Sequence, residues 1–303
     1  MDPITNFKEL ESHFATLPVK KRIAVVCPSD DHTIEVVERC LRQNLAEFTL
    51  CLAEPSDWAD RMASMHTDKV AVELTTSADE AARAAVADVR SGHSDVVMKG
   101  AINTDNLLRA VLNKEEGLLK PGNVLTHMTA AEIPAYHKML FFSDAAVIPQ
   151  PDLTQLEAMI GYDINILRNL RISNPKVALI HFTEKTNPKF VNTTYYQQIK
   201  QLNTQGHFGH GVTIEGPMDV KTACDRHSAE IKHIASSVSG NADLLIFPDL
   251  VSANTFYKSI SLFAKATMAG IICGADAPVV IPSRADSAES KFFSLALACT
   301  ALP

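Results

Sequence analysis

Residues 22–27 read RIAVVC, and this short apolar run decides the fold class. It is too short for a helix and lacks polar alternation, so it is typical of a strand that is buried on both faces of a sheet. Residues 31–44 follow with helical periodicity. A buried strand followed by a helix is the repeating unit of an α/β protein with a mostly parallel sheet.

The same alternation recurs along most of the chain. Further strands are predicted at residues 48–53, 69–74, 95–98, 176–182, 243–247, 269–273 and 279–281. Further helices are predicted at residues 77–90, 104–112, 153–171, 193–203, 253–266 and 284–299. Ser77 and Glu80 have the spacing of a capping box at the start of one of them. The alternation is lost between residues 100 and 142, which indicates a domain boundary.

The composition is that of a folded protein with a modest acidic charge. A chain of 303 residues suggests two domains or one large α/β domain, and 46% hydrophobic residues suffice for a sizeable core. Lysine and arginine number 28 against 35 acidic residues, which gives a formal charge of −7. This balance argues against broad attraction to nucleic acid or anionic lipid, so an anionic ligand needs a local site.

The sequence predicts a cytoplasmic location. The first residues show no basic segment followed by an apolar run, and the longest apolar runs are too short to span a bilayer. The six cysteines are scattered without a C-x-x-C motif, which favours reduced thiols over disulfides or a zinc site. We therefore expect no membrane partner and no nucleic-acid partner.

Residues 278–291 read PVVIPSRADSAESK and form the most informative segment. A strand passes through a short turn into a helix, and open α/β sheets bind ligands at such strand ends. The helix start offers N–H groups, and Arg284 adds a planar guanidinium that suits phosphate oxygens. A plainer interpretation is that Ser283 and Asp286 form a capping box with no catalytic duty.

Two other strand ends carry candidate ligand-binding residues. Lys99 could neutralise an anion, and Gly100 would let a ligand approach the backbone; the alternative is a lysine on a solvated turn. Asn254 and Lys258 lie one helical turn apart on the same face. The alternative there is a polar cap on a helix whose aromatic residues fill the core.

Several familiar motifs are missing from the sequence. The glycines at residues 206–211 do not have G-x-G-x-x-G spacing after a strand, and no G-x-x-x-x-G-K-[ST] loop occurs. His207 and His210 have neither H-E-x-x-H spacing nor a carboxylate partner in the sequence, so we assign no metal.

From about residue 95 to residue 298 the sequence resembles the phosphate acetyl/butyryltransferase family, and in particular its phosphate butyryltransferase branch. The order and spacing of several short stretches carry this resemblance. They are MKGA at 98–101, FSDAA at 142–146, GP at 216–217, SGNAD at 239–243, FPD at 247–249, AN at 253–254, YK at 257–258 and PSRADSAESK at 282–291.

The resemblance implies a fold and a domain arrangement. The family is a two-domain αβα sandwich with mostly parallel sheets, related to isocitrate and isopropylmalate dehydrogenases. The implied first domain is 1–143 plus 283–303. The implied second domain, 144–282, would provide the dimer contact and part of the active cleft. A homodimer or a higher homo-oligomer is therefore expected.

The resemblance also implies an activity, the reversible transfer of a short-chain acyl group between coenzyme A and inorganic phosphate. The thiolate would attack the acyl phosphate directly, with no metal, no covalent acyl-enzyme, and coenzyme A as a substrate rather than a cofactor. Ser283 would donate to the developing oxyanion or thiolate, and Arg284 would hold the phosphate. A substrate-binding role is implied for Lys99, Gly100, Asn254, Lys258 and Glu289.

This chain departs from the family pattern at two places. Where the acetyltransferase branch has an aspartate at the end of the last motif, this chain has Ser290. Asp286 and Glu289 are local substitutes, and we favour Asp286 as the general base. Residues 215–221 read EGPMDVK where the family commonly has DGPLALD, so Lys221 reverses a charge. The acyl chain length stays open.

Two alternatives remain on the sequence alone. The first is an NAD-dependent dehydrogenase on the related fold, which would need no G-x-G-x-x-G fingerprint. The lack of clustered metal-binding carboxylates and the Ser283–Arg284 pair argue against it. The second is a non-catalytic homologue that binds acyl-coenzyme A, an alternative that Lys221 and Ser290 raise.

Overall fold

The computed structural model describes residues 2–234, 236–283 and 286–302. The chain divides into two compact units. The central unit consists of Met1–Phe7 and Val124–Met268, and the terminal unit consists of Lys8–Asn123 and Ala269–Pro303. The terminal unit is therefore assembled from both ends of the sequence.

The terminal unit alternates strands and helices as the sequence predicts. Helix α1 (Phe7–Ala15) begins at the first boundary between the units, and strand β10 (Thr267–Cys273) spans the boundary at Met268. Between them in chain order lie β1 (Lys21–Val26), α2 (Asp31–Arg42), β2 (Ala46–Leu52), α3 (Asp57–Met65), β3 (Val70–Leu74), α4 (Ala78–Arg90), β4 (Val96–Lys99) and α5 (Thr104–Val111). After β10 come β11 (Val279–Val280) and α11 (Ala288–Ala301).

The sheet of the terminal unit has the strand order β3-β2-β1-β4-β11-β10. Neighbours from β3 to β11 are parallel, and β10 pairs antiparallel with β11. The apolar run that predicted the fold lies in β1, where residues 23–26 are completely buried. Burial on both faces explains why this strand shows no polar alternation.

The cap of α4 follows the sequence prediction in part. The Ser77 side chain accepts a hydrogen bond from the Glu80 N–H at 3.2 Å. Glu80 reaches back to the Thr76 N–H at 2.9 Å and not to that of Ser77. The prediction of the helix and of its cap residue is thus confirmed, while the return bond of the box is shifted by one residue.

The central unit also combines strands and helices around one sheet. Its elements in chain order are β5 (Thr126–Glu132), β6 (Leu140–Ser143), α6 (Leu153–Asn169), β7 (Lys176–Ile180), α7 (Val191–Thr204), β8 (Thr213–Met218), α8 (Val220–Cys224), α9 (Arg226–Ile231), β9 (Leu244–Ile246) and α10 (Leu250–Phe263). The strand order is β5-β6-β9-β7-β8, with β5 antiparallel to β6 and the other neighbours parallel. Phe142 packs against Phe247 and Phe256 in its core.

Two carboxylates are buried in the central unit in different ways. Asp144 is 3% exposed and accepts hydrogen bonds from four backbone N–H groups, those of His127, Ala146, Val147 and Ile148. Asp163 on α6 is 0% exposed and receives no comparable set of backbone N–H donors among the described residues. Burial raises the pKa of Asp163 well above its usual value, which favours the protonated carboxyl.

The limits of the two units differ from the domain limits predicted from the sequence. The predicted first domain ended at residue 143, whereas the terminal unit ends at Asn123. The reason is that β5 and β6 pair with each other, and β6 pairs with β9 of the central sheet. The predicted return at residue 283 comes instead at Ala269, because β11 pairs with β4 of the terminal sheet. A role of the central unit in dimerisation stays a prediction.

The last helix begins later than the sequence predicts. The predicted range was 284–299, and α11 is Ala288–Ala301 with Ser287 as its N-cap. The Ser287 side chain accepts from the Ser290 N–H at 3.2 Å, so a second cap-like spacing in the same segment forms the cap. The sequence did not predict α1, α3, β5, β6, β8, α8 and α9 as helices or strands. Throughout the described residues, no helix is long and apolar enough to cross a membrane.

Candidate active site

A cavity of about 410 Å³ lies at the carboxyl ends of β4 and β11 in the terminal unit. This is the edge at which parallel α/β sheets bind ligands. The described residues that line it are Asp30, Lys99, Gly100, Ala101, Pro282, Ser283 and Lys291. The structure thus brings together Lys99, Gly100 and Ser283, three of the residues that the sequence predicted for one site.

Lys99 is the last residue of β4 and is only 3% exposed. Its Nζ donates a hydrogen bond to the Gly100 carbonyl at 3.3 Å. The alternative of a lysine on a solvated turn is therefore wrong. A buried ammonium is costly unless an acceptor or an opposite charge stabilises it, so its place at the cavity favours an anionic ligand.

Gly100 is required by packing of the backbone. A Cβ at this position would meet the carbonyl oxygen of Cys27 in a clash, and it would lie 2.7 Å from that of Val26. The missing side chain lets the end of β4 lie directly against the end of β1. Gly100 is predicted from the sequence to allow close approach by a ligand, and the structure shows close approach by the chain itself.

Asp30 and Lys291 form an ion pair at the cavity that the sequence argument did not assign. Asp30 is the N-cap of α2, and its Oδ1 accepts from Lys291 Nζ at 2.5 Å. Thr33 donates its hydroxyl to Asp30 Oδ2 at 2.7 Å and also lies 3.1 Å from Lys291 Nζ. Burial by itself raises the pKa of Asp30, but the hydrogen bonds from Lys291 and Thr33 outweigh burial and hold that pKa below its ordinary value.

Signals for both residues were present in the sequence. Lys291 closes the quoted segment 278–291, and Asp30 directly precedes the first predicted helix after the first strand. The sequence does not show that Asp30 and Lys291 are in contact, because they are 261 residues apart in the chain. Lys291 is only 3% exposed, whereas most lysines in folded proteins lie at the surface. A sequence alone therefore does not indicate that this lysine is buried.

The turn after β11 is held by Asp286 in a way that differs from the predicted capping box. Asp286 Oδ2 accepts from the Ser283 N–H at 2.8 Å, and the Asp286 N–H donates to the Ser283 carbonyl at 3.1 Å. His32 Nδ1 lies 2.9 Å from the Asp286 carbonyl. Ser283 is exposed at the cavity and does not cap the helix, because α11 starts at Ala288.

The remaining predicted residues of this segment have separate outcomes. Arg284, the predicted phosphate ligand, lies outside the described residues. Glu289 is exposed in the first turn of α11, and Asp286 is half-buried. Neither carboxylate is among the described residues that line the cavity. Their roles as general base or substrate ligand stay predictions.

Asn254 and Lys258 belong to the central unit, on α10. Asn254 is half-buried and its Nδ2 donates to the Ala145 carbonyl at 3.0 Å, while Lys258 is exposed with its Nζ 4.8 Å from the centre of the Tyr257 ring. Asp249 caps α10 by accepting from the Ser252 N–H at 2.7 Å, so the cap that the alternative interpretation required is present. A substrate contact of Asn254 or Lys258 stays a prediction.

The segment 215–221, which departs from the family pattern, has a clear structural role. A Cβ on Gly216 would lie 2.6 Å from the Leu179 carbonyl, so the glycine lets β8 approach β7 closely. Lys221 is exposed on α8, one turn before Asp225. The reversed charge therefore lies on a solvated helix surface of the central unit.

The histidines of the 206–211 loop have a carboxylate neighbour that the sequence did not reveal. His207 Nε2 lies 2.8 Å from Glu157 Oε1 on α6. The statement that no carboxylate accompanies these histidines is thus wrong. Over residues 2–234, 236–283 and 286–302, no group of three or more His, Cys, Asp or Glu side chains is placed to hold a metal ion.

The sheets and the cavity place the chain in the class of α/β proteins that have a cavity at the carboxyl ends of parallel strands. Transferases and dehydrogenases are both found in this class. The family model described as "Phosphate acetyl/butaryl transferase" matches residues 54–299. The chain therefore belongs to the phosphate acetyl/butyryltransferase family. The predicted resemblance, the α/β fold class and the assignment as a phosphate acyltransferase enzyme are confirmed.

Individual relatives agree with this family. The chain is 33% identical over 287 residues to the "Probable phosphate butyryltransferase" of Bacillus subtilis, with 95% of each chain covered. It is 34% identical over 277 residues to the phosphate acetyltransferase of Thermotoga maritima, covering 91% of this chain and 94% of the relative. A crystal structure of a branched-chain phosphotransacylase from Enterococcus faecalis superposes with a TM-score of 0.80 at 26% identity, covering 93% and 98%. The dehydrogenase alternative is not favoured.

Proposed function

We propose that this chain transfers a short-chain acyl group between coenzyme A and inorganic phosphate, and that the phosphate part of the substrate binds in the terminal-unit cavity. The observation that carries the proposal is the burial of Lys99 and Lys291, each 3% exposed, in the wall of the cavity that Ser283 also lines. The described lining residues carry two ammonium groups and one carboxylate. The excess positive charge suits a phosphate or an acyl phosphate.

The proposed reaction is a direct displacement at the acyl carbon. The thiol of coenzyme A gives up its proton, and the thiolate attacks the carbonyl carbon of the acyl phosphate to form a C–S bond. The carbonyl oxygen carries negative charge in the tetrahedral intermediate. The C–O bond to phosphate then breaks, and the phosphate leaves with the bonding electrons. The same steps in reverse convert acyl-coenzyme A and phosphate to acyl phosphate.

In this proposal the turn after β11 supplies the groups around the reacting carbon. Ser283 donates to the developing oxyanion or thiolate, and Arg284 holds the phosphate oxygens. The 2.8 Å hydrogen bond from the Ser283 N–H to Asp286 Oδ2 joins the described residues on either side of residues 284–285. Asp286 is the proposed base, with Glu289 as the other carboxylate of the segment.

The proposal includes the reactants and the surroundings of the enzyme. Coenzyme A is a substrate, the reaction uses no metal and no cofactor, and the protein works as a cytoplasmic homodimer or higher homo-oligomer. Nucleic acid and membrane have no part in it. The relatives are named for butyryl and for acetyl transfer, so the proposal covers short acyl groups as a class.

The proposal is tested by acyl exchange with the purified chain. Acetyl-, propionyl-, butyryl- and isobutyryl-coenzyme A are each incubated with inorganic phosphate, and released thiol and acyl phosphate are measured together. We expect equal amounts of both products with at least one donor. A control with NAD and 2-hydroxy acids should give no NADH. If no donor is consumed at any pH between about 6 and 8, the proposal is wrong; binding of acyl-coenzyme A without exchange would indicate the non-catalytic homologue.

A further inference from the structure

Lys291 occupies a place where a lysine is unfavourable without a ligand. It is the fourth residue of α11 and 3% exposed. The N-terminal turn of a helix carries the positive end of the helix dipole, so acidic residues stabilise it and cations destabilise it. Burial adds a cost for the ammonium charge. Something must compensate both costs.

The protein compensates part of this cost itself. Asp30 accepts from Lys291 Nζ at 2.5 Å, and Thr33 Oγ1 lies 3.1 Å from the same atom. Asp30 is in turn fixed by the Thr33 N–H at 3.0 Å at the start of α2. Two residues on a rigid helix end therefore hold the ammonium group in one position at the cavity wall.

The positive charge of the cavity exceeds what Asp30 neutralises. An ammonium has three N–H donors, and Asp30 and Thr33 are the described partners of two of them on Lys291. Lys99 brings a second ammonium to the same wall. A tetrahedral anion offers several acceptor oxygens to such donors, and charge-assisted hydrogen bonds are the stronger ones.

We propose that Lys291, positioned by Asp30 and Thr33, binds the phosphoryl oxygens of the acyl phosphate or of inorganic phosphate. The inference rests on the proposed function in naming phosphate as the anion, and it adds a ligand from α11 to the residues of the turn. Asp30 is a positioning residue in this scheme, since it acts through Lys291. The phosphates of coenzyme A are the other source of the same chemistry.

The first experiment measures binding without turnover. Isothermal calorimetry with inorganic phosphate compares the wild-type chain, Lys291→Met and the control Lys120→Met. Lys120 pairs with Asp276 at 2.8 Å in the same unit but is exposed and does not line the cavity. We expect Lys291→Met to weaken phosphate binding about ten- to a hundredfold and Lys120→Met to leave it unchanged.

The second experiment separates phosphate from coenzyme A. In the acyl-exchange assay, Lys291→Met should raise the KM for phosphate about ten- to a hundredfold while the KM for acyl-coenzyme A stays within about twofold. If Lys291→Met fails to fold, the double variant Asp30→Asn with Lys291→Met removes both charges together and carries the same expectation.

The outcomes distinguish the two claims. Unchanged phosphate binding by a folded variant overturns the inference, and so does a variant that weakens coenzyme A binding alone. A wild-type chain that binds no phosphate, with or without coenzyme A, also overturns it. If phosphate binding depends on Lys291 but no acyl donor is ever consumed, the inference stands and the proposed function fails.

Discussion

The two units bury charged side chains in opposite ways. In the central unit, Asp144 is enclosed by four backbone N–H donors that satisfy its carboxylate within the protein. In the terminal unit, Lys99 and Lys291 are buried as deeply, yet both border a cavity. A charge with a full set of internal partners stabilises a fold, and a charge that faces a cavity is placed for a ligand. The following experiments test this distinction.

The largest effect is expected from Asp144→Ala. Removal of the buried carboxylate leaves four backbone N–H groups without their acceptor, so the free energy of unfolding should fall by about 3–5 kcal/mol. Urea unfolding measures it. Asp152→Ala is the control, because its exposed carboxylate accepts from one N–H, that of Gln155 at 2.8 Å, and should cost about 1 kcal/mol. An equal loss in the free energy of unfolding in both variants would show that the four hydrogen bonds to Asp144 stabilise the fold no more than the single one to Asp152.

Ser283→Ala should affect activity and not stability. Loss of an oxyanion donor typically lowers kcat by about a hundredfold or more, whereas an exposed side chain that caps no helix changes unfolding by less than about 0.5 kcal/mol. Ser287→Ala is the matched control, since Ser287 caps α11. It should cost about 1 kcal/mol of stability. Steady-state rates and urea unfolding are compared, and a Ser283→Ala variant with the wild-type kcat would remove this hydroxyl from the mechanism.

Gly100→Ala tests whether the cavity wall also serves the fold. The added Cβ would clash with the Cys27 carbonyl, so we expect a loss of about 1–3 kcal/mol in the free energy of unfolding. Gly161→Ala on α6 is the control, because nothing lies within 4 Å of a Cβ there. It should stabilise the protein by about 0.5–1 kcal/mol. Destabilisation of the same size in both variants would contradict the packing role of Gly100.

The last prediction concerns Asp163, where the size of the effect on stability depends on pH. The folded protein holds a proton on this side chain because burial raises its pKa, whereas the unfolded chain loses that proton near the ordinary aspartate pKa. The unfolded state then binds fewer protons, so stability falls as the pH rises above about 4. Asp163→Asn is always neutral and should gain stability relative to the wild type between about pH 4 and pH 7. A constant difference across that range would show that Asp163 does not titrate in this way.

The sequence predicted much of the local structure and some of the residues that line the cavity. Continuous apolar runs such as that in β1 predict buried parallel strands because burial on both faces removes polar alternation. Lys99 and Ser283 were predicted because they directly follow such strands. The predicted start of α11 was wrong because two possible caps, Ser283 with Asp286 and Ser287 with Ser290, overlap in one segment. Only the folded structure shows that Ser287 caps the helix.

What the sequence could not provide is contact between distant segments. The Asp30–Lys291 pair joins α2 to α11, and the four donors to Asp144 include one from β5. The domain limits were displaced for the same reason, since the membership of β5 and β6 depends on which strands they pair with. Periodicity reports how each residue is buried along its own element and carries no information on partners across the sheet.

The terminal unit is assembled from both ends of the chain, and this has a consequence for biosynthesis. At about 5–20 residues per second, a ribosome needs on the order of ten seconds or more to proceed from Lys99 to Lys291. Until residues 279–301 emerge from the exit tunnel, β4 has no β11 beside it and the cavity lacks Lys291. A polypeptide that lacks residues 279–301 therefore lacks part of the wall of this cavity.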